Sequence, residues 1–287
     1  MIEIGTPELR AVINPLGAEL TSLRDRDGNE LLTNGDPAFW ASHAPLLFPI
    51  VGELRGGVWH LDGQRHAMGR HGIARRQMFT LEEQEADHVR FRLTGNAEIR
   101  ESYPFDFALD AEYRIEDSAL LMRATAHNRD VIDMPASFGF HPGFAWPLPY
   151  GQPRAAHRIL FDEDEPDDLC LLESNLIVRE DRPSPVQSRV LPLRDDLFEH
   201  DALIWSRARS RGCLYGAPDG PQLRIAWSDM PSLGIWTKPG ASYVCIEPWD
   251  GSCDRADFSG EIWDKAGIHR IAPGEQREWW MRVAVEL

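Results

Sequence analysis

Cysteine is scarce: Cys170, Cys213, Cys245 and Cys253 are the only four in 287 residues, and no two form a CxxC pair. Zinc ribbons and disulfide scaffolds need closer, patterned spacing, so both are poor readings, and a reducing cytoplasm fits. Basic residues are also short, with Lys+Arg 30 against Asp+Glu 46 and a formal net charge of −16. So acidic a chain disfavours nucleic acid, whose phosphates need a basic face, and anionic membranes. No apolar run approaches the length of a transmembrane helix. The opening residues, MIEIGTPELRAVINPLG, lack a basic stretch followed by an apolar core, so no signal peptide is expected. Also missing is any long stretch with apolar residues at i, i+3, i+4 and i+7, so helices should be few and short.

What recurs instead is period two. In DHVRFRLTG, Val89, Phe91 and Leu93 share one face while Arg90 and Arg92 share the other. Near the C-terminus, Trp279, Met281, Val283 and Val285 alternate with Trp280, Arg282, Ala284 and Glu286. A hairpin turn is expected at DRDGN and another at EDS. Hydrophobic residues make up 43% of the chain, enough for a sizeable core. Gly 23 and Pro 21 punctuate the strands along the whole length. The expectation is all-β: one large, antiparallel β-sandwich domain over residues 1–287. FDEDEPDDLC and REDRPSPVQSR are expected to be surface loops, since strand patterning resumes on both sides of each.

Three stretches could carry chemistry. In SFGFHPGFAWPLP, Phe138 and Phe140 point one way, and Ser137, Gly139 and His141 the other. Small neighbours leave room above the strand, as a ligand cleft requires. Pro142 holds His141 extended. A lone histidine in such a place more often reads as half-buried and bonded to a backbone carbonyl. In YVCIEPWDG, Tyr243, Cys245 and Glu247 share a face. A carboxylate in an apolar strand must be paired or carry a raised pKa, and is either functional or part of a structural salt bridge. Trp249 offers a flat face suited to the C–H side of a sugar ring, or plain core packing. The third stretch, residues 46–79, holds Arg55, His60, His66, Arg70, His71, Arg75 and Arg76 among turn glycines. Arg75 and Arg76 read as solvated surface or, with Arg70, as a phosphate clamp. The histidines match no metal-ligand spacing, and no metal or cofactor is expected.

LLFPIVGELRGG, GRHGIARRQMF, SFGFHPGFAWPL and YVCIEPWDG, in that order, together resemble the aldose 1-epimerase (galactose mutarotase) family, specifically its LacX-like branch. INPLGAELTSL is similar to that family's opening strand pair. The resemblance spans nearly the whole chain. It implies a sandwich of the galactose mutarotase type with a small-molecule sugar in an open cleft. It implies His141 as general acid, Glu247 as general base, His71 as a second histidine near the reacting centre and Arg55 as a substrate-binding arginine. Asp201, in FEHDALIW, matches the binding aspartate of the LacX-like pattern. Galactose mutarotases proper carry asparagine before the acid histidine; here it is Phe140, which puts galactose specificity in doubt more than the chemistry.

Anomer interconversion suits these residue types and needs no cofactor. A base takes the proton from the C1 hydroxyl while an acid protonates the ring oxygen. The expected starting state is a Glu247 carboxylate and a His141 imidazolium, provided nearby acids hold the histidine's pKa up. The rival readings are a hexose 6-phosphate epimerase, a silent carbohydrate-binding or sensor protein, and a glycoside hydrolase, which lacks an evident second carboxylate.

Overall fold

The computed structural model describes residues 1–165 and 167–286. Two antiparallel sheets dominate. One has nine strands, in spatial order Val190–Pro192, Arg158–Phe161, Gly212–Gly216, Gln222–Trp227, Gln276–Glu286, Ala119–Asn128, Phe107–Glu116, His88–Thr94 and Thr80–Gln84. The other runs Leu176–Arg182, Leu169–Glu173, Leu203–Trp205, Ser232–Trp236, Tyr243–Asp250, Phe138–Phe140 and Leu46–Leu47, with Gly143–Ala145 also paired to Tyr243–Asp250. The only α-helix among the described residues is Ala97–Ser102. The protein is an all-β fold.

The alternations decide which side chains enter the core. Val89, Phe91 and Leu93 are buried, as are Trp279, Met281 and Val283, while Arg282 and Glu286 stay exposed. Asp117, at positive φ, turns the chain between Phe107–Glu116 and Ala119–Asn128. At DRDGN the turn forms, with Gly28 at positive φ, but its far side is one bridge between Arg24 and Glu30, not a full strand. The two expected loops need correction. Glu165 is buried and accepts from the Arg209 and Ser210 backbone N–H groups, which anchors the acidic segment. REDRPSPVQSR begins inside the strand Leu176–Arg182.

The sheets meet face to face. Phe138 stacks on Trp279 at 5.0 Å, and the Tyr215 hydroxyl donates to Ala145 O at 2.6 Å. Asp250 is the polar tie between them. Its carboxylate is 2% exposed and accepts from Trp279 Nε1 at 2.7 Å, from Arg277 at 2.9 and 3.1 Å, and from His269 Nε2 at 2.6 Å. Burial alone would raise its pKa; the bonds from His269 and Trp279 and the nearby positive charges overcome that and lower it.

The folded-state carboxyl therefore sits below its ordinary 3.8. Its contribution to stability is full above that value and disappears as pH falls through the lower folded value. Asp250→Asn is expected to cost about 3 kcal/mol, the low end for breaking a buried ion pair, and to flatten stability against pH on the acid side. Urea denaturation between neutral and acid pH measures both; an unchanged acid slope would count against the tie.

Candidate active site

The strand Tyr243–Asp250 is buried along its whole length, and its two faces do different jobs. Val244 and Ile246 join the main hydrophobic cluster between the sheets. Cys245, Glu247 and Trp249 face the other way. Trp249 lies flat because the flanking strands present glycine beneath it. A Cβ on Gly139 would come within 2.6 Å of the indole, and one on Gly234 within 2.8 Å. This indole floors a cavity of about 270 Å³. That is just below the usual range for drug-sized ligands.

His141 follows the Phe138–Phe140 strand, and the Ile246 N–H donates to Pro142 O at 3.3 Å, which pins the histidine over the same strand. His141 Nε2 lies 3.1 Å from Glu247 Oε2. The contact is within ion-pair range, but neither Glu247 Oε2 nor His141 Nδ1 has an aligned hydrogen-bond partner. Trp40 stacks on the imidazole at 4.9 Å, and Trp236 meets it edge-on at 6.1 Å.

His71 enters from the segment Gly69–Arg76. It has φ +66, and Gly72 after it has φ +75; a Cβ on Gly72 would lie 2.2 Å from Phe48 O. Only glycine permits that approach, and it turns His71 into the cavity. The His71 N–H donates to Gly52 O at 2.8 Å, and the Gly52 N–H donates back to His71 Nδ1 at 3.1 Å. Nδ1 is thus an acceptor, so in the neutral ring the proton sits on Nε2 and can be donated to a ligand.

Positive charge surrounds the pair. Arg70, Arg75 and Arg76 line the cavity with Asp201. Arg70 Nη1 bonds Asn175 Oδ1 at 3.0 Å, and none of the three arginines has an ion-pair partner among the described residues. Burial pushes the Arg75 guanidinium down, and Arg76 and Arg70 add to that against Glu19. Burial drives His141 down to about 3, helped by Arg70 and Arg75. It also holds His71 well below its ordinary value. Burial raises the Glu247 carboxyl; Arg70 pulls it back and Asp201 adds to the rise.

The expected imidazolium–carboxylate starting state is therefore corrected. Apart from Glu247 itself, the charges that act on His141 are the cations Arg70 and Arg75, which lower its pKa further. Burial favours imidazole beside a carboxylic acid, one proton for the two groups.

Of the residues singled out from the sequence, His141, Glu247, His71, Asp201 and Trp249 line this one cavity. Arg55 does not. Gly56 and Gly57, at φ 69 and 66, curl the chain so that the Arg55 guanidinium bonds Phe258 O at 2.9 Å. Its backbone N–H donates to Asp254 Oδ2 at 2.8 Å, and it borders a separate depression with Trp59 and Lys265. Arg70 lines the cavity, and Arg55 does not. Trp40 and Trp236 were missed. Trp40 had one signal, an aromatic pair after the NGDP turn. Trp236 is two residues from Gly234 and so shares its face. Among the described residues, the one tight group of metal-ligating side chains is His141, Cys245 and Glu247.

His71 should remain neutral and protonated on Nε2 at neutral pH. Long-range ¹H–¹⁵N correlation of the ring nitrogens reads the tautomer directly, and a protonated Nδ1 would contradict the Gly52 clamp.

The aldose 1-epimerase family model matches residues 1–284. The chromosomal protein LacX of Lactococcus lactis subsp. lactis is 31% identical over 283 residues, 95% of each chain. A galactose mutarotase related enzyme from Lactobacillus acidophilus superimposes with a TM-score of 0.92 at 28% identity, over 100% of this chain and 97% of its own. A galactose mutarotase-like protein from Lactobacillus casei gives 0.91 at 26% identity, with 100% of both chains covered. With its fold, its cavity and these matches in agreement, the chain belongs to the aldose 1-epimerase family.

Proposed function

We propose that the protein interconverts the α and β anomers of a hexose, with Glu247 and His141 as the acid–base pair. The observation that carries this reading is the 3.1 Å approach of His141 Nε2 to Glu247 Oε2 in a monosaccharide-sized cavity. Ring opening needs one proton donor and one acceptor, and a dyad holding one proton supplies both. Glu247 takes the proton of the C1 hydroxyl while His141 protonates the ring oxygen; C1–C2 rotates in the open aldehyde and closure runs the transfers backwards. To begin in that state the pair's proton must sit on His141. Hydroxyl donation to Glu247 from the bound sugar, together with Arg70, favours the carboxylate form. The His71 Nε2–H would hold a sugar oxygen, Trp249 would face the ring's C–H side and Asp201 would accept from a hydroxyl. The buried thiols of Cys213, Cys245 and Cys253 accord with a cytoplasmic enzyme.

One observation favours a second reading, a hexose 6-phosphate as substrate: the three arginines without ion-pair partners at the cavity wall. A polarimetric or NMR exchange screen over free aldoses and their 6-phosphates separates the two. No rate above buffer on any of them would leave a binding protein.

Glu247→Gln and His141→Asn should each lower kcat by roughly 10²-fold or more with far smaller changes in KM. Near wild-type kcat in Glu247→Gln would make the carboxylate structural. The pH profile of kcat/KM should be a bell whose limbs belong to the pair. Its acid limb, where the dyad takes a second proton, should lie below the ordinary imidazole value of 6.5, because His141 is pushed down to about 3. An acid limb near 6.5 would mean that the histidine titrates alone.

The arginines divide the same way. Arg70→Ala should raise KM by about tenfold or more, the worth of a charge-assisted hydrogen bond. Arg55→Ala should leave KM unchanged, and steady-state kinetics on the best substrate compares them.

A further inference from the structure

Cys245 has no part in the chemistry above, yet it sits beside it. It lies two residues from Glu247 on the cavity-facing side of the Tyr243–Asp250 strand, opposite Gly143 in the neighbouring strand. One ligand atom each from His141, Cys245 and Glu247 lie within 4.8 Å of one another, and all three residues are buried. The His141–Glu247 edge of that triangle is already 3.1 Å. A tetrahedral zinc site with about 2.0–2.3 Å bonds has edges of about 3.3–3.8 Å. The longest edge therefore has to close by roughly 1 Å, within reach of side-chain rotation. Glu247 Oε2 and His141 Nδ1 are buried without aligned hydrogen-bond partners, so both atoms are open to a new one.

We propose that His141, Cys245 and Glu247 form a site for one borderline-soft divalent cation of the Zn²⁺ type, and that its occupation reversibly blocks the sugar site. The donor set is nitrogen, thiolate sulfur and carboxylate oxygen, with a fourth position open to the cavity for water. The charges balance. Before binding, the thiol is protonated, held up by burial and by Glu247, and the dyad carries one proton, so the three groups together are neutral. On binding, the thiol proton and the dyad proton leave to solvent. Thiolate and carboxylate then offset the two charges of the ion, and no net charge is buried. The ion takes the atoms that would otherwise touch the C1 hydroxyl and ring oxygen, so binding and turnover exclude each other. The inhibitory part rests on the proposed epimerase reading; the binding part does not.

The test uses the full chain and two metals. Co²⁺ titration should give a near-ultraviolet thiolate-to-cobalt absorption that saturates at one ion per chain and is displaced by Zn²⁺. Zn²⁺ calorimetry in buffers of different ionisation enthalpy should count two protons released per ion near neutral pH. Polarimetry should show Zn²⁺ stopping mutarotation and a chelator restoring it. Cys245→Ala should keep its ion-free rate, lose the cobalt band and need at least about 100-fold more Zn²⁺ for the same inhibition, since a direct ligand matters at least as much as its outer-shell partners. Absence of the band in wild type overturns the proposal, as does wild-type zinc sensitivity in Cys245→Ala. Should that variant fail to fold, the wild-type cobalt and proton counts decide alone. If the wild type catalyses no epimerisation, the same two counts still test the site while the functional reading falls separately.

Discussion

A carboxylate at the contact between two sheets has to find donors there, and Asp250 finds them on the Trp279 strand and on His269. Three residues before it on one continuous strand is Glu247. An extended strand is stiff, and alternation puts the two carboxylates on opposite faces. Asp250 is paired and its pKa falls; Glu247 is buried, with Oε2 lacking an aligned partner, and its pKa rises. One strand thus carries an acid that anchors and the acid of the proposed reaction, and the anchor limits how far Glu247 can wander from His141.

The cations around the dyad work against an isolated imidazolium and in favour of an anionic group in the cavity. Arg70 and Arg76 repel Arg75, which is partly desolvated as well. The overall −16 charge hides this. Net charge describes the average surface, whereas the field inside a low-dielectric cleft is set by the few groups that line it. An acidic protein can therefore present a basic pocket.

Much of the architecture was readable because period two is a property of neighbouring residues. The alternations around Phe91 and Met281, and the opposite facing of Val244 and Glu247, follow from strand geometry alone. So did the shared face of Ser137, Gly139 and His141. The failures were of a different kind. Whether Arg55 or Arg70 reaches the cavity depends on left-handed glycines at positions 56 and 57 and on Asp254, some two hundred residues away. Trp40 stacks on a histidine a hundred residues distant, and no local pattern announces that. The protonation of the dyad was misjudged because it depends on which charges surround His141, a three-dimensional fact.

The flat seat of Trp249 sets the depth of the cavity. It exists because Gly139 and Gly234 carry no side chain where the indole rests. A single methyl at either place would tilt or lift the ring into the space above while leaving His141, Glu247 and every recognisable motif residue unchanged. Selectivity for ligand size could therefore drift in such a chain without any visible change in the proposed acid–base pair. Two relatives with identical reactive groups need not accept the same sugar, and the reason would be written in hydrogen atoms on the underside of a tryptophan.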